Sequence, residues 1–147
     1  GDPYAWQVEQ TAARIAARLG VDNLDWRLCY QSRVGPMKWI GPATDDEIRR
    51  AGADGVALVI APIAFVSEHS ETLVELDIEY RDLAEGSGVP AYHRVPAVAC
   101  HPAFIGALAN LTRQCLERAP AHDDSMFSLS TKRVCPASHS GCPLAAG

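Results

Sequence analysis

Residues Val56 to Val66 read VALVIAPIAFV, eleven apolar positions in a row. The run is too short to cross a membrane, which takes about 18 such residues or more, and it contains Pro62. It reads as a strand covered on both faces, and such strands belong to parallel sheets. Parallel neighbours need a long crossover between them, usually a helix. The run therefore asks for helices on either side of it in the sequence.

The rest of the chain supplies them. Pro3 to Leu19 has Val8, Ala12, Ile15, Ala16 and Leu19 at helical spacing, with Gly20 as a stop. Asp25 to Ser32 (DWRLCYQS) reads as a strand. Val34 to Pro42 holds two Gly-Pro pairs and reads as a loop. Thr44 opens a short helix, with Glu47 completing a capping box. Ala91 to Val95 is a weaker strand. Pro102 to Arg118 is a helix with Phe104, Leu108, Leu111 and Cys115 on one stripe. Alternation of this kind predicts an α/β fold with a parallel sheet and right-handed crossovers. Three strands make a thin sheet, so a first strand is expected upstream of Gly1. The chain opens GDPYAW without an initiator Met, and reads as processed or as part of something longer. Residues 1–118 form the expected α/β domain, and 119–147 an irregular, proline-containing tail with cysteines.

The chain has 147 residues and a net charge of −5. That balance argues against general nucleic-acid binding. Five cysteines at irregular spacing fit a reduced compartment better than a disulfide framework. Cys29 and Cys100 read as core residues, and His93, His101, His122 and His139 as surface histidines.

The acids are concentrated in one place. FVSEHSETLVELDIEY, Phe65 to Tyr80, holds Glu68, Glu71, Glu75, Asp77 and Glu79, with no Lys or Arg among them. With Glu71 at zero on an α-helix, Glu75, Glu79, Glu68 and Asp82 fall at roughly 40°, 80°, 60° and 20°. Leu73, Tyr80, Leu76 and Leu83 fall at roughly 200°, 180°, 140° and 120°, and should pack on the sheet. A solvated outer face would explain the acids. Yet exposed faces usually mix signs, because like charges four apart repel. The helix also begins at the C-terminal end of a buried strand, where open α/β sheets bind ligands. His69 falls near roughly 160°, on the apolar side, so it must precede the first regular turn or the helix must be widened. The loop QSRVGPMKWIGP, Gln31 to Pro42, adds Met37 and Trp39 as candidate walls for a flat apolar ligand.

That loop, followed by PIAFVSEHSETLVELDIEY, resembles ferrochelatase, from GDPY at Gly1 to about Leu111. The family inserts ferrous iron into a porphyrin to make haem. The resemblance implies a Rossmann-like, three-layer chelatase fold of two similar α/β domains, of which this chain is the C-terminal one. It implies that His69 is a metal ligand or pyrrole proton acceptor and that Glu71 works beside it. Glu75 and Glu79 would extend an acidic path along a helix with a π-type widening. Met37, Trp39 and Phe65 would lie on the porphyrin side.

The chemistry agrees with these residue types. Metallation removes two pyrrole protons and delivers a desolvated Fe²⁺. Imidazole suits iron, while carboxylates bind it more weakly and release it. The step itself needs no cofactor.

The resemblance also implies a missing N-terminal domain of the same polypeptide. That domain would carry a second cleft histidine and peripheral contact with the inner membrane of a bacterial cell, the rest being cytoplasmic. The fragment alone is therefore expected to be inactive. Some members hold a [2Fe–2S] cluster through C-terminal cysteines. Here Cys135 and Cys142 are the candidate ligands, short of the four a cluster needs, and they read instead as reduced thiols. Two rival readings are a short chelatase that dimerises to rebuild the cleft, and a non-catalytic porphyrin- or metal-binding module. A nucleotide-binding domain lacks its G-x-G-x-x-G after a strand.

Overall fold

A computed structural model describes residues 1–31, 40–118, 133–142 and 144. The chain divides into two compact units, Ala12–Ala97 and Gly1–Thr11 with Val98–Gly147.

Helix α1, Tyr4–Leu19, ends where Gly20 takes a positive φ of 65°. In the larger unit, α2 spans Thr44–Asp54 and β1 spans Leu58–Ile60. A π-helix runs from Glu71 to Glu79 and continues directly into α3, Tyr80–Gly86. Strand β2, Tyr92–Arg94, closes the unit. β1 and β2 pair in parallel, with Leu58 opposite Tyr92 and Ile60 opposite Arg94. The π-helix and α3 thus form the crossover of a β-helix-β unit, and the result is a mixed helix–strand fold with a small parallel sheet. Under it lie Ile48 and Ala51 of α2, Ala84 of α3, Val89 and Tyr92, with Leu58, Ile60, Tyr80 and Leu83 packed against them.

Three expectations about the elements of this unit change. The apolar run pairs over Leu58–Ile60 alone, and Val59 is 69% exposed rather than covered. Among the described residues β1 has a single, three-residue partner, and Pro62 has no N–H to extend the ladder. Asp25–Ser32 is not a strand among the described residues. Its one trace is a parallel bridge from Tyr30 to Ala43. The capping box does not form either: Ala43 is the N-cap residue, Thr44 lies buried inside the first turn, and Glu47 pairs with Arg50 at 2.8 Å.

In the smaller unit, α4 spans Pro102–Arg118 as expected. Cys100 is exposed rather than core, because it follows Ala99 in a turn of positive φ (42°) just before α4. Residues 133–142 are irregular yet packed. Gly141 N–H donates to the Gly1 carbonyl at 2.8 Å, and Trp6 meets the His139 ring at 6.1 Å. No described helix is long and apolar enough to cross a membrane.

Candidate active site

After β1 the chain bends through Ala61–Ser67 and delivers His69 to the head of the π-helix. His69 sits just outside the regular turns, and the turns beyond it are widened. Both ways out of its angular misfit are therefore taken. The backbone around it is tied down by Thr72, a fully buried residue. His69 N–H donates to Thr72 Oγ1 at 2.9 Å, and the Thr72 and Leu73 N–H groups donate to the His69 carbonyl at 3.0 and 2.8 Å. The imidazole is held on two sides. Its Nδ1 accepts from Glu71 N–H at 3.2 Å, and its ring meets Phe65 edge-on at 4.4 Å. With Nδ1 so engaged, Nε2 is the nitrogen available to an outside partner.

Glu71 and Glu75 lie half-buried one turn apart, and Glu79 is exposed one turn further. Gln31 reaches across from the segment after Tyr30. Its side-chain N–H₂ donates to the Glu71 carbonyl at 3.2 Å and to Glu75 Oε2 at 3.0 Å. Tyr80 O–H donates to Glu75 Oε1 at 3.0 Å. Burial, followed by that carboxylate, raises the Tyr80 pKa. Glu75 is thus gripped at both oxygens. Met37 and Trp39 lie outside the described residues.

The other two acids of the run have a different partner. Arg94, at the end of β2, makes a two-pronged pair with Asp77 at 2.6 Å through each prong, and donates to both oxygens of Glu68 at 3.0 and 3.1 Å. Glu68 also accepts the Ala97 N–H at 2.8 Å. So Glu68 does not belong to the open acidic face on which an ideal helix placed it. The widened turn also leaves Leu73 48% exposed, whereas Leu76, Tyr80 and Leu83 turn to the core as expected.

The Ala97 N–H, then Arg94 and Thr72, hold Glu68 down at about 2, against an ordinary value of 4.5. Arg94 lowers Asp77 likewise. A carboxylate depressed in the fold stabilises it above its unfolded pKa, and that contribution is lost as pH falls through the folded value. Arg94→Met should therefore melt at a lower temperature than the wild type at neutral pH. Its acid destabilisation between pH 4.5 and about 2 should be shallower, though not absent, because the Ala97 N–H remains. Melting curves across that range check this. Equal acid slopes in the two proteins would remove Arg94 from the account.

Sequence reasoning missed Gln31, Tyr80, Tyr92 and Arg94. Tyr80 was findable: five residues after Glu75, it returns to the same side once the helix bonds five residues back. Arg94 was not, since nothing in the sequence couples residue 94 to residues 68 and 77.

The Ferrochelatase family model matches residues 1–116 of the chain. The chain belongs to the ferrochelatase family. It is 54% identical to a ferrochelatase of Phenylobacterium zucineum over 97% of this chain and 39% of that protein. It is 52% identical to one of Caulobacter vibrioides strain NA1000 / CB15N over 100% of this chain and 41% of that protein. A ferrochelatase of Wolbachia pipientis wMel is 54% identical over 76% of this chain and 34% of that protein. The chain thus spans about two-fifths of the length of the curated ferrochelatases it matches, at their C-terminal portion. Among the described residues, no group of three His, Cys, Asp or Glu side chains is placed to hold a metal ion.

The thiols Cys135 and Cys142 are both buried. Burial raises the Cys135 thiol, and so does Cys142 beside it. Gln7 approaches Cys135 Sγ at 3.9 Å. The pair amounts to two of the four ligands that a [2Fe–2S] cluster needs.

Proposed function

We propose that this chain is the C-terminal half of a ferrochelatase that inserts ferrous iron into protoporphyrin IX. What carries the reading is His69, braced by Phe65 at the head of a π-helix along which Glu71, Glu75 and Glu79 follow at intervals of four. The balance is simple: porphyrin gives up two N–H protons, Fe²⁺ takes the four nitrogens, and haem and two protons leave. The reaction therefore needs a base at the macrocycle and an exit for protons, or an entry for iron.

His69 meets the first need through Nε2, as proton acceptor or as metal ligand beside Glu71. In the neutral ring whose Nδ1 accepts from Glu71 N–H, Nε2 carries the proton. Taking up a second proton or a metal moves a proton to Nδ1 or turns the ring, and releases the Glu71 contact at a cost of about 0.5–1.5 kcal/mol. The site is therefore held at rest by a weak bond that chemistry displaces. Glu71, Glu75 and Glu79 meet the second need. Carboxylates bind Fe²⁺ loosely enough to pass it on. Gln31 and Tyr80 fix Glu75 in the middle of the row. Met37 and Trp39 would line the porphyrin together with Phe65. The further layers of a three-layer sheet, the opposite wall of the cleft and any membrane contact would come from the N-terminal part of the same polypeptide.

The test is a metallation assay with Fe²⁺ and protoporphyrin IX under reducing, anaerobic conditions. It compares the 147-residue chain with the protein that carries the preceding half. The longer protein should turn over and the chain alone should show little or no activity. Binding of porphyrin by the longer protein without turnover would replace this reading with that of a binding module. A rate for the chain alone close to that of the longer protein would overturn the division of the site between two halves.

A further inference from the structure

We infer that Tyr92 is a positioning residue: its hydroxyl sets where the π-helix ends, and thereby where Glu79 stands relative to Glu75. The argument is one of counting. Within the π-helix each N–H reaches five residues back, and the last such bond is Tyr80 N–H to the Glu75 carbonyl. α3 begins at Tyr80, and bonding four back, as an α-helix does, would take Arg81 N–H to Asp77. The change of step passes over one carbonyl, that of Leu76. Leu76 is 1% exposed, so water does not serve it.

Tyr92 does. Its O–H donates to the Leu76 carbonyl at 2.7 Å, in a buried contact sixteen residues away along the chain. The ring that carries the hydroxyl is itself fixed. Tyr92 is paired with Leu58 in the sheet, packed against Ile48, Ala51, Ala84 and Val89, and covered by the Arg81 guanidinium at 5.2 Å. The neighbouring carbonyl already has a spare donor, since Arg81 Nε–H donates to Asp77 O at 3.0 Å.

Without the Tyr92 hydroxyl, a bare buried carbonyl is the costlier outcome. The cheaper one is for Arg81 N–H to turn from Asp77 to Leu76, leaving Asp77 to the Arg81 side chain. The π-helix then grows by one residue. Glu79 and Tyr80 rotate with it, and the Tyr80–Glu75 contact is disturbed.

The test reads backbone register by through-hydrogen-bond NMR couplings in the isotopically labelled chain. The wild type should couple Tyr80 N–H to Glu75, Arg81 N–H to Asp77 and the Tyr92 hydroxyl proton to Leu76. In Tyr92→Phe the junction should move, with Arg81 N–H now coupled to Leu76. In Arg81→Met, which keeps the hydroxyl, it should stay. An unmoved junction in Tyr92→Phe, a moved one in Arg81→Met, or no Tyr92–Leu76 coupling in the wild type overturns the proposal.

The catalytic arm rests on the proposed function. In the longer protein, Tyr92→Phe should lower kcat with porphyrin KM unchanged, by about 10²-fold if Glu79 is displaced by about 1 Å. A moved junction with unchanged kcat would leave Tyr92 a structural residue only. If the longer protein does not metallate at all, the proposed function fails and the couplings still decide the register.

Discussion

His69→Ala should lower kcat for porphyrin metallation by the two-half protein by about 10²–10⁴-fold, the range that positioned proton transfer contributes. The fold should survive. The bonds that hold this corner run through the backbone of residue 69 and through Thr72, and alanine keeps them all. What is lost is the Nδ1 contact with Glu71 N–H and the ring contact with Phe65. Together these amount to about 1–2 kcal/mol. Thermal melting of the variant should therefore shift little while porphyrin turnover collapses. A variant that folds and turns over at the wild-type rate would remove His69 from the chemistry and leave it as a helix cap.

Gly52→Ala should have the largest effect on stability, and its sign is informative. In an exposed helix interior this exchange helps by about 1 kcal/mol. Here a Cβ on residue 52 would stand 2.0 Å from the Ser87 carbonyl oxygen and 2.7 Å from its carbon. Ser87 cannot step aside cheaply. Its N–H closes α3 by donating to Leu83 at 2.9 Å and Ala84 at 3.2 Å, and Ala51 and Ala84 on either side of the crossing are fully buried. Overpacking of this kind costs about 1–3 kcal/mol, and a backbone-to-backbone clash belongs at the upper end. Chemical denaturation should show a lower midpoint. A stabilised variant would mean that α2 and α3 are not in such close contact.

The sequence carried the helices well and the strands poorly. α1 and α4 are long and periodic, and their limits were readable to within a residue or two, whereas the acidic stretch, read over Phe65 to Tyr80, is helical over 71–86. β1 and β2 are three residues each, too short for a pattern to fix their ends. Apolar composition overstated β1, because a run such as VALVIAPIAFV reports what is apolar and not which part finds a partner. The site divides in the same way. Of the candidate residues, Glu71, Glu75 and Glu79 stood out because they lie in one continuous segment whose like charges need a reason, while His69 was singled out only through the family resemblance. Their supports, Gln31 and Arg94, come from elsewhere in the chain and carried no local signal. Tyr92 reads as an ordinary strand tyrosine until the skipped carbonyl of Leu76 is found above it.

The grip of Arg94 on Asp77 and Glu68 changes what a passing cation would feel. Five neighbouring carboxylates left open would form a deep electrostatic well, a trap for any divalent ion that entered. One guanidinium, itself 9% exposed, removes two of the five from that well and anchors them to the sheet. Glu71, Glu75 and Glu79 lie outside that pairing, one turn apart. A shallower well with three steps exchanges its occupant faster than a deep one with five. If iron travels this row, the arginine keeps the helix a conduit rather than a store.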